Sequence, residues 1–291
     1  MAGQKRDYRG KAKANEPPKV RNEYTAMFET FRDELDCHHD RRERVIKASR
    51  DITALSKKII FSLQRVRKIQ PDLPDYIEKD IQTRLVDISR LLSSITADVQ
   101  GINRYRYSRQ MSCIEELIEA LTFAHYLRTQ SLMAYEESMQ KVAELSTYVD
   151  TMDVDAAEDA RADQPPTPPA PASLPPVHVT EQDYLMGIFD LSGEMMRFAT
   201  IVAALNGTLA ASGDATADAA DERTIVQDMQ NLGSLFAMLP QQHNKSYQIK
   251  LETLRQSVNK VEKLGYGLKV RGSERPAGWM PDNDDGPEPE D

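Results

Sequence analysis

Tyr184–Leu205 reads YLMGIFDLSGEMMRFATIVAAL, and only Asp190, Glu194 and Arg197 carry charge among its 22 residues. At the helical turn of about 100° per residue those three fall within an arc of roughly 60°. The rest of the circumference is apolar or small, so the segment predicts a helix buried almost all round. Thr180, with Asp183 three residues on, forms a capping-box pattern at its start. Gly187 and Gly193 each cost roughly 1 kcal/mol against Ala inside a helix. Their presence implies close approach of another backbone or of a ligand. Met195, Met196 and Phe198 extend the apolar cover further, which predicts burial against another chain.

The flanking sequence follows the same helical period. From Asn22 to about Lys68 there is no Gly or Pro, and Phe28, Phe31, Leu35, Val45, Ile52, Ile59 and Leu63 recur on one face. Pro71 and Pro74 end that helix. A second helix is expected over about Asp75–Val99, a turn at Gly101 and Asn103, and a third helix over about Tyr105–Val149. After the central segment come a fifth helix over about Ala219–Leu239, closed by Pro240, and a last one over about Lys245–Leu268. No Val/Ile/Thr alternation marks a sheet. The fold expected is all-α, an antiparallel bundle of about six to seven long helices. One helical domain over residues 22–276 is expected, with a disordered basic arm at 1–21 and a disordered acidic tail at 277–291. Within it, 150–178 reads as an acidic, Pro-rich insert and 206–218 as a flexible loop.

The net charge of -9 is unevenly placed. Asp150–Asp163 holds six acids and one Arg, and Pro281–Asp291 holds six acids and no base; without them the chain stands at +2. Met1–Lys68 carries eighteen Lys/Arg against ten Asp/Glu, so a local basic surface for a phosphate backbone remains available. Cys37 and Cys113 make no disulfide framework and no metal-ligand spacing, and read as reduced thiols of an intracellular protein. No apolar run reaches the roughly 18 residues of a membrane span, and the polar N-terminus is no signal peptide. A soluble chain without membrane attachment is expected.

Two carboxylates one turn apart on a greasy helix repel each other and are costly to desolvate. Asp190 and Glu194 therefore need a cation, a partner Arg or a wet cavity, and Arg197 is itself a candidate partner. A second pair, Glu116 and Glu119, lies in CIEELIEALTFAHYLR on the side that also bears Phe123, Tyr126 and Leu127. Acids sharing a face with aromatics suggest a half-buried pocket, although an isolated E-x-x-E is more often a solvated face. Four carboxylates from two facing helices suit a hard divalent cation such as Mg²⁺. His125 is a candidate substrate contact or a plain core or surface histidine. The run His38–Asp51, with Arg41, Arg42, Arg44 and Lys47, is a candidate phosphate-backbone contact, or else a solvated face in which Asp40, Glu43 and Asp51 offset the bases. There is no P-loop or dinucleotide glycine pattern, and no Ser, His or Cys arrangement for nucleophilic catalysis.

The stretches FRDELDCHHDRRERVIKASRDIT, IEELIEALTFAHYLRTQSL, DYLMGIFDLSGEMMR and YGLKVRGSERP resemble the translin-associated factor X (TRAX) family of the translin superfamily. The resemblance runs from about residue 24 to 276, in the same order and spacing. It implies a translin-like fold and assembly with translin into a closed hetero-octameric barrel. It also implies Mg²⁺-dependent endoribonuclease activity, Mn²⁺ being an alternative, on single-stranded RNA enclosed there, with single-stranded DNA as a further ligand. The family's E-x-x-E and D-x-x-G-E acids fall here on Glu116, Glu119, Asp190 and Glu194, as catalytic and metal-binding residues. Translin keeps the Glu of the second motif without the Asp, so Asp190 favours the catalytic paralogue over the RNA-binding one. Arg197, His125 and the basic run are the RNA-contact candidates. Passenger strands of small RNAs and transfer-RNA precursor fragments are the substrates the family suggests, in cytoplasm and nucleus. A non-catalytic RNA- or single-stranded-DNA-binding or scaffold subunit of the same assembly is the alternative. The long Pro-rich linker and the Ala/Asp-rich loop depart from the family pattern.

Overall fold

A computed structural model describes residues 22–147, 174–210, 223–240, 242 and 244–271. The basic arm, the acidic tail, most of the Pro-rich insert and residues 211–218 of the loop lie outside them. Among the described residues the regular structure is all-α, with no strand: α1 Thr25–Leu63, α2 Asp75–Ile95, α3 Ile102–Arg106, α4 Cys113–Thr129, α5 Tyr135–Ser146, α6 Glu181–Asn206, α7 Ile225–Met238 and α8 Lys245–Arg271. Short 3₁₀ turns stand at Thr96–Val99 and Ser108–Met111.

The chain divides into two units, Met1–Glu43 and Arg44–Asp291. In the first, the Asn22 side chain accepts from the Tyr24 amide at 3.1 Å, and Phe28 and Phe31 stack edge to face at 5.9 Å. Tyr24, Met27, Phe28, Phe31 and Leu35 are all exposed there.

The second unit is a helical bundle. Val45, Ile52, Ile59 and Leu63 give α1 its buried stripe, and Ile77, Ile81, Ile88 and Leu92 do the same for α2. The helix α6 packs on α4, α7 and α8, and α2 packs on α5. Apolar residues spaced by whole helical turns explain each contact, as in Tyr247, Leu254, Val261 and Leu264 of α8. Phe189 of α6 stacks at 4.1 Å on Phe236 of α7 and edge-on at 5.2 Å on Tyr247 of α8. At the start of α6 the capping box is present, with Thr180 and Asp183 each accepting from the other's backbone amide.

Three expectations need correction. The third helix is not continuous but breaks into α3, α4 and α5. Gln130 closes α4 in the left-handed region at φ 51°, and its side-chain amide donates to Asp228 (3.1 Å) and to the Arg223 carbonyl (2.7 Å). Asp228 also accepts from Tyr126 Oη at 2.8 Å and pairs with Arg223, which fastens α7 to the end of α4. Before α4, Gly101 turns the chain at φ 56° and Asn103 already lies in α3. Buried Arg104 holds Asp183 and the His178 carbonyl, so the chain there follows tertiary contacts.

Second, the end of the Pro-rich insert is anchored. Val177 and Val179 are buried, the Val177 amide donates to Ser146 Oγ at 3.1 Å, and Gln100 donates to the Pro175 carbonyl at 2.8 Å. Third, of Met195, Met196 and Phe198, the first and last are buried in this chain's own core and are not available to a partner, while Met196 is half-buried.

Candidate functional site

The helices α4 and α6 approach closely at Gly187. A methyl group there would lie 2.7 Å from Ile118 Cγ2 and 2.8 Å from the Glu115 carbonyl oxygen. Only a residue without Cβ lets the two helices meet so closely. Gly193, two turns further along α6, has nothing within 4 Å of such a methyl and lines a cleft of about 530 Å³. The same two glycines thus act differently: one lets helix backbones approach, and the other keeps space open.

All four acids singled out by sequence line that cleft: Glu116 and Glu119 from α4, Asp190 and Glu194 from α6. Lys57 and Phe61 of α1, Gln64 in the turn just after it, and Lys250 of α8 complete much of its wall. Glu119 is only 9% exposed. Burial, then the charges of Asp190, Glu116 and Glu194, push its carboxyl up to about 8, against an ordinary 4.5. Glu115, beside it on α4, is also raised, by burial first and against the pull of Lys250.

The other acids have partners. Lys250 Nζ donates to Asp190 Oδ2 at 2.6 Å, Gln64 Nε2 donates to Glu194 Oε2 at 2.8 Å, and Lys57 Nζ stands 3.5 Å from Glu116 Oε1. Arg197, expected as a partner for Asp190 or Glu194, stands 3.7 Å from Glu194 with its side chain over half exposed. Among the described residues no three acid, imidazole or thiol groups are gathered as the ligands of an ion. A cation bound through Asp190 Oδ2 requires that oxygen to leave Lys250, whereas Glu194 keeps a second oxygen beside the one that Gln64 holds. The donor chemistry does fit a hard divalent ion: oxygen ligands only, with the Glu119 carboxyl raised by burial and by the negative charge of its neighbours.

The remaining candidates lie elsewhere. His125 does not line the cleft; its Nε2 is 3.0 Å from Ser131 Oγ and its Nδ1 3.6 Å from Glu137. In the first unit, Arg42 pairs with its neighbour Glu43 at 2.9 Å and Arg41 is half-buried. In the second, Arg44 grips Asp98 with two hydrogen bonds of 2.8 and 2.7 Å, and Lys47 is exposed. Sequence reading missed Lys250, Gln64, Lys57 and Glu115. Lys250 is one of several lysines on α8, and only the packing of α8 on α6 distinguishes it. Neither cysteine is in a disulfide: Cys37 is exposed and Cys113 buried. No described helix is long and apolar enough to cross a membrane.

An all-helical bundle with an acid-lined cleft between two closely packed helices defines the class of protein. Its backbone is similar to a crystal structure of apo-NeC3PO, with a TM-score of 0.52 at 16% identity, covering 88% of this chain and 100% of that one. A crystal structure of AfC3PO gives 0.51 at 16% identity, over 84% and 97%. These likenesses show the fold. The Translin family model matches residues 40–272, and the chain belongs to that family. It is 31% identical to translin-associated protein X of Rattus norvegicus over 258 residues, 88% of this chain and 81% of the relative. The translin-associated protein X homolog of Schizosaccharomyces pombe is 23% identical over 251 residues, 85% and 89% of the two chains.

Proposed function

We propose that this chain is the RNA-cutting subunit of a complex with translin, hydrolysing phosphodiesters of single-stranded RNA with Mg²⁺ or Mn²⁺. One observation carries the reading: four carboxylates from two helices share one cleft, where burial and then the charges of the other three raise the Glu119 carboxyl. Glu116, Glu119, Asp190 and Glu194 would hold the ion. When bound, it supplies a nucleophilic water at neutral pH and charge stabilisation at the phosphoryl group. The chain's own part is to gather the acids, to hold Glu194 through Gln64, and to limit water at Glu119 by burial. Exposed Arg197 beside Glu194 suits a backbone phosphate. The Phe61 ring, also exposed, gives the cleft a face on which a base of any identity can stack. Similarity to translin-associated protein X supports translin as the partner.

A second reading, a non-catalytic RNA- or single-stranded-DNA-binding or scaffold subunit, is favoured by the pairing of Asp190 with Lys250 and Glu194 with Gln64. The test is cleavage of single-stranded RNA by the chain co-expressed with translin, with and without Mg²⁺ or Mn²⁺. Asp190→Asn and Glu119→Gln are expected to lower the rate at least a hundredfold while leaving assembly intact, the order expected when a metal centre is disabled. Full activity in both variants rejects the proposal, and metal-independent RNA binding without cleavage favours the second reading.

A further inference from the structure

We infer that Lys250 is an internal counter-cation of the cleft, competing with a divalent ion for Asp190; the inference rests on the metal reading above. Its ammonium is not a surface charge that happens to meet an acid. It donates to Asp190 Oδ2 at 2.6 Å and to the Met186 carbonyl at 3.3 Å, and it stands 3.6 Å from Glu115 Oε2. Its side chain is 23% exposed. The three oxygens come from two helices, α6 and α4, and the lysine from a third, α8.

An all-oxygen environment of two carboxylates and a carbonyl is the one a hard divalent ion seeks. Here it is filled by a covalently tethered single charge. The need for such a charge follows from the acids. Glu115, Glu116, Glu119, Asp190 and Glu194 all belong to the facing helices α4 and α6, and their mutual repulsion opposes that packing. Lys250 offsets part of it when no metal is bound.

The same placement works against metal. While Lys250 holds Asp190 Oδ2, that oxygen is not available to an ion, and the ammonium repels an incoming cation at short range. Binding must therefore displace the ammonium from Asp190 or proceed against its charge. The cleft is thereby tuned to bind a divalent ion less tightly than its acids alone would.

The experiment measures Mn²⁺ affinity of the full chain co-purified with translin, from the electron paramagnetic resonance signal of free Mn²⁺. Lys250→Met keeps the stem and removes the charge, and Lys250→Arg keeps the charge. The Glu119→Gln/Asp190→Asn double variant is the blank for ions bound elsewhere. The expected result is Mn²⁺ binding about tenfold tighter in Lys250→Met and within about twofold of wild type in Lys250→Arg, the size of a nearby unit charge in a partly solvated site. The metal-free melting temperature of Lys250→Met should fall, and Mn²⁺ should raise it by more than it raises that of wild type. Should Lys250→Met not fold, Lys250→Gln is read in its place.

Equal or weaker Mn²⁺ binding in the charge-removed variant, with wild type still above the blank, overturns this inference alone. If neither wild type nor Lys250→Met exceeds the blank, the metal reading falls and takes the inference with it.

Discussion

Glu119 keeps its proton near neutral pH because burial and three neighbouring carboxylates oppose its charge. The linkage runs one way: between about 4.5 and about 8 the folded protein binds a proton that the unfolded chain releases, so stability falls as pH rises through that window. With chelator present, the melting temperature of the wild-type chain in its complex should drop from pH 5.5 to 8.5, and Glu119→Gln should flatten the profile. A wild-type profile that rises over this range, or one unchanged by the substitution, would contradict the assignment. At this scale Asp190 and Glu194 were legible because they interrupt an otherwise apolar helix, whereas Glu116 and Glu119 formed a weak motif alone that gained weight from that second pair. Lys250 was not, since Lys245, Lys260 and Lys263 share its helix and nothing local sets it apart.

At the scale of the element, the long helices were legible from apolar period and from proline breaks, and the interruption of the third was not. Apolar residues continue across it at Leu132 and Met133, with no Gly or Pro between Cys113 and Ser146. At the break Gln130 leaves the helix in the left-handed conformation and its side-chain amide meets Asp228 on α7, a contact between residues far apart in sequence. The two glycines of α6 were noticed for their cost, but only the packed helices separate their roles. Gly187→Ala is expected to destabilise the protein by roughly 1–2 kcal/mol, overpacking against Ile118 and the Glu115 carbonyl outweighing the better helix propensity. Gly193→Ala, with no neighbour to displace, should be neutral or slightly stabilising. Denaturant midpoints of the two variants check this. Equal effects would mean that α4 and α6 are not held together at Gly187.

For the whole molecule, two of the three residues expected to meet a partner are interior, and Met196 is half-buried. Met195 and Phe198 of α6 complete the core, whereas Leu235 and Met238 of α7 and Ile249, Tyr266 and Val270 of α8 are exposed. A surface helix normally buries the large apolar residues that α7 and α8 leave in water, and aromatic or aliphatic side chains of this kind are what stable subunit interfaces cover. If translin is the partner, these two helices are where burial should occur. The chain expressed alone should elute as heterogeneous aggregates in size-exclusion chromatography with light scattering, and co-expression with translin should yield one discrete hetero-oligomer. Leu235→Glu with Met238→Glu should weaken that assembly while leaving the helical signal of the chain intact, because both side chains already face water in the folded chain. Two results would count against an obligate partner surface on these helices: a soluble monomer from the wild-type chain alone, or an assembly indifferent to both charges.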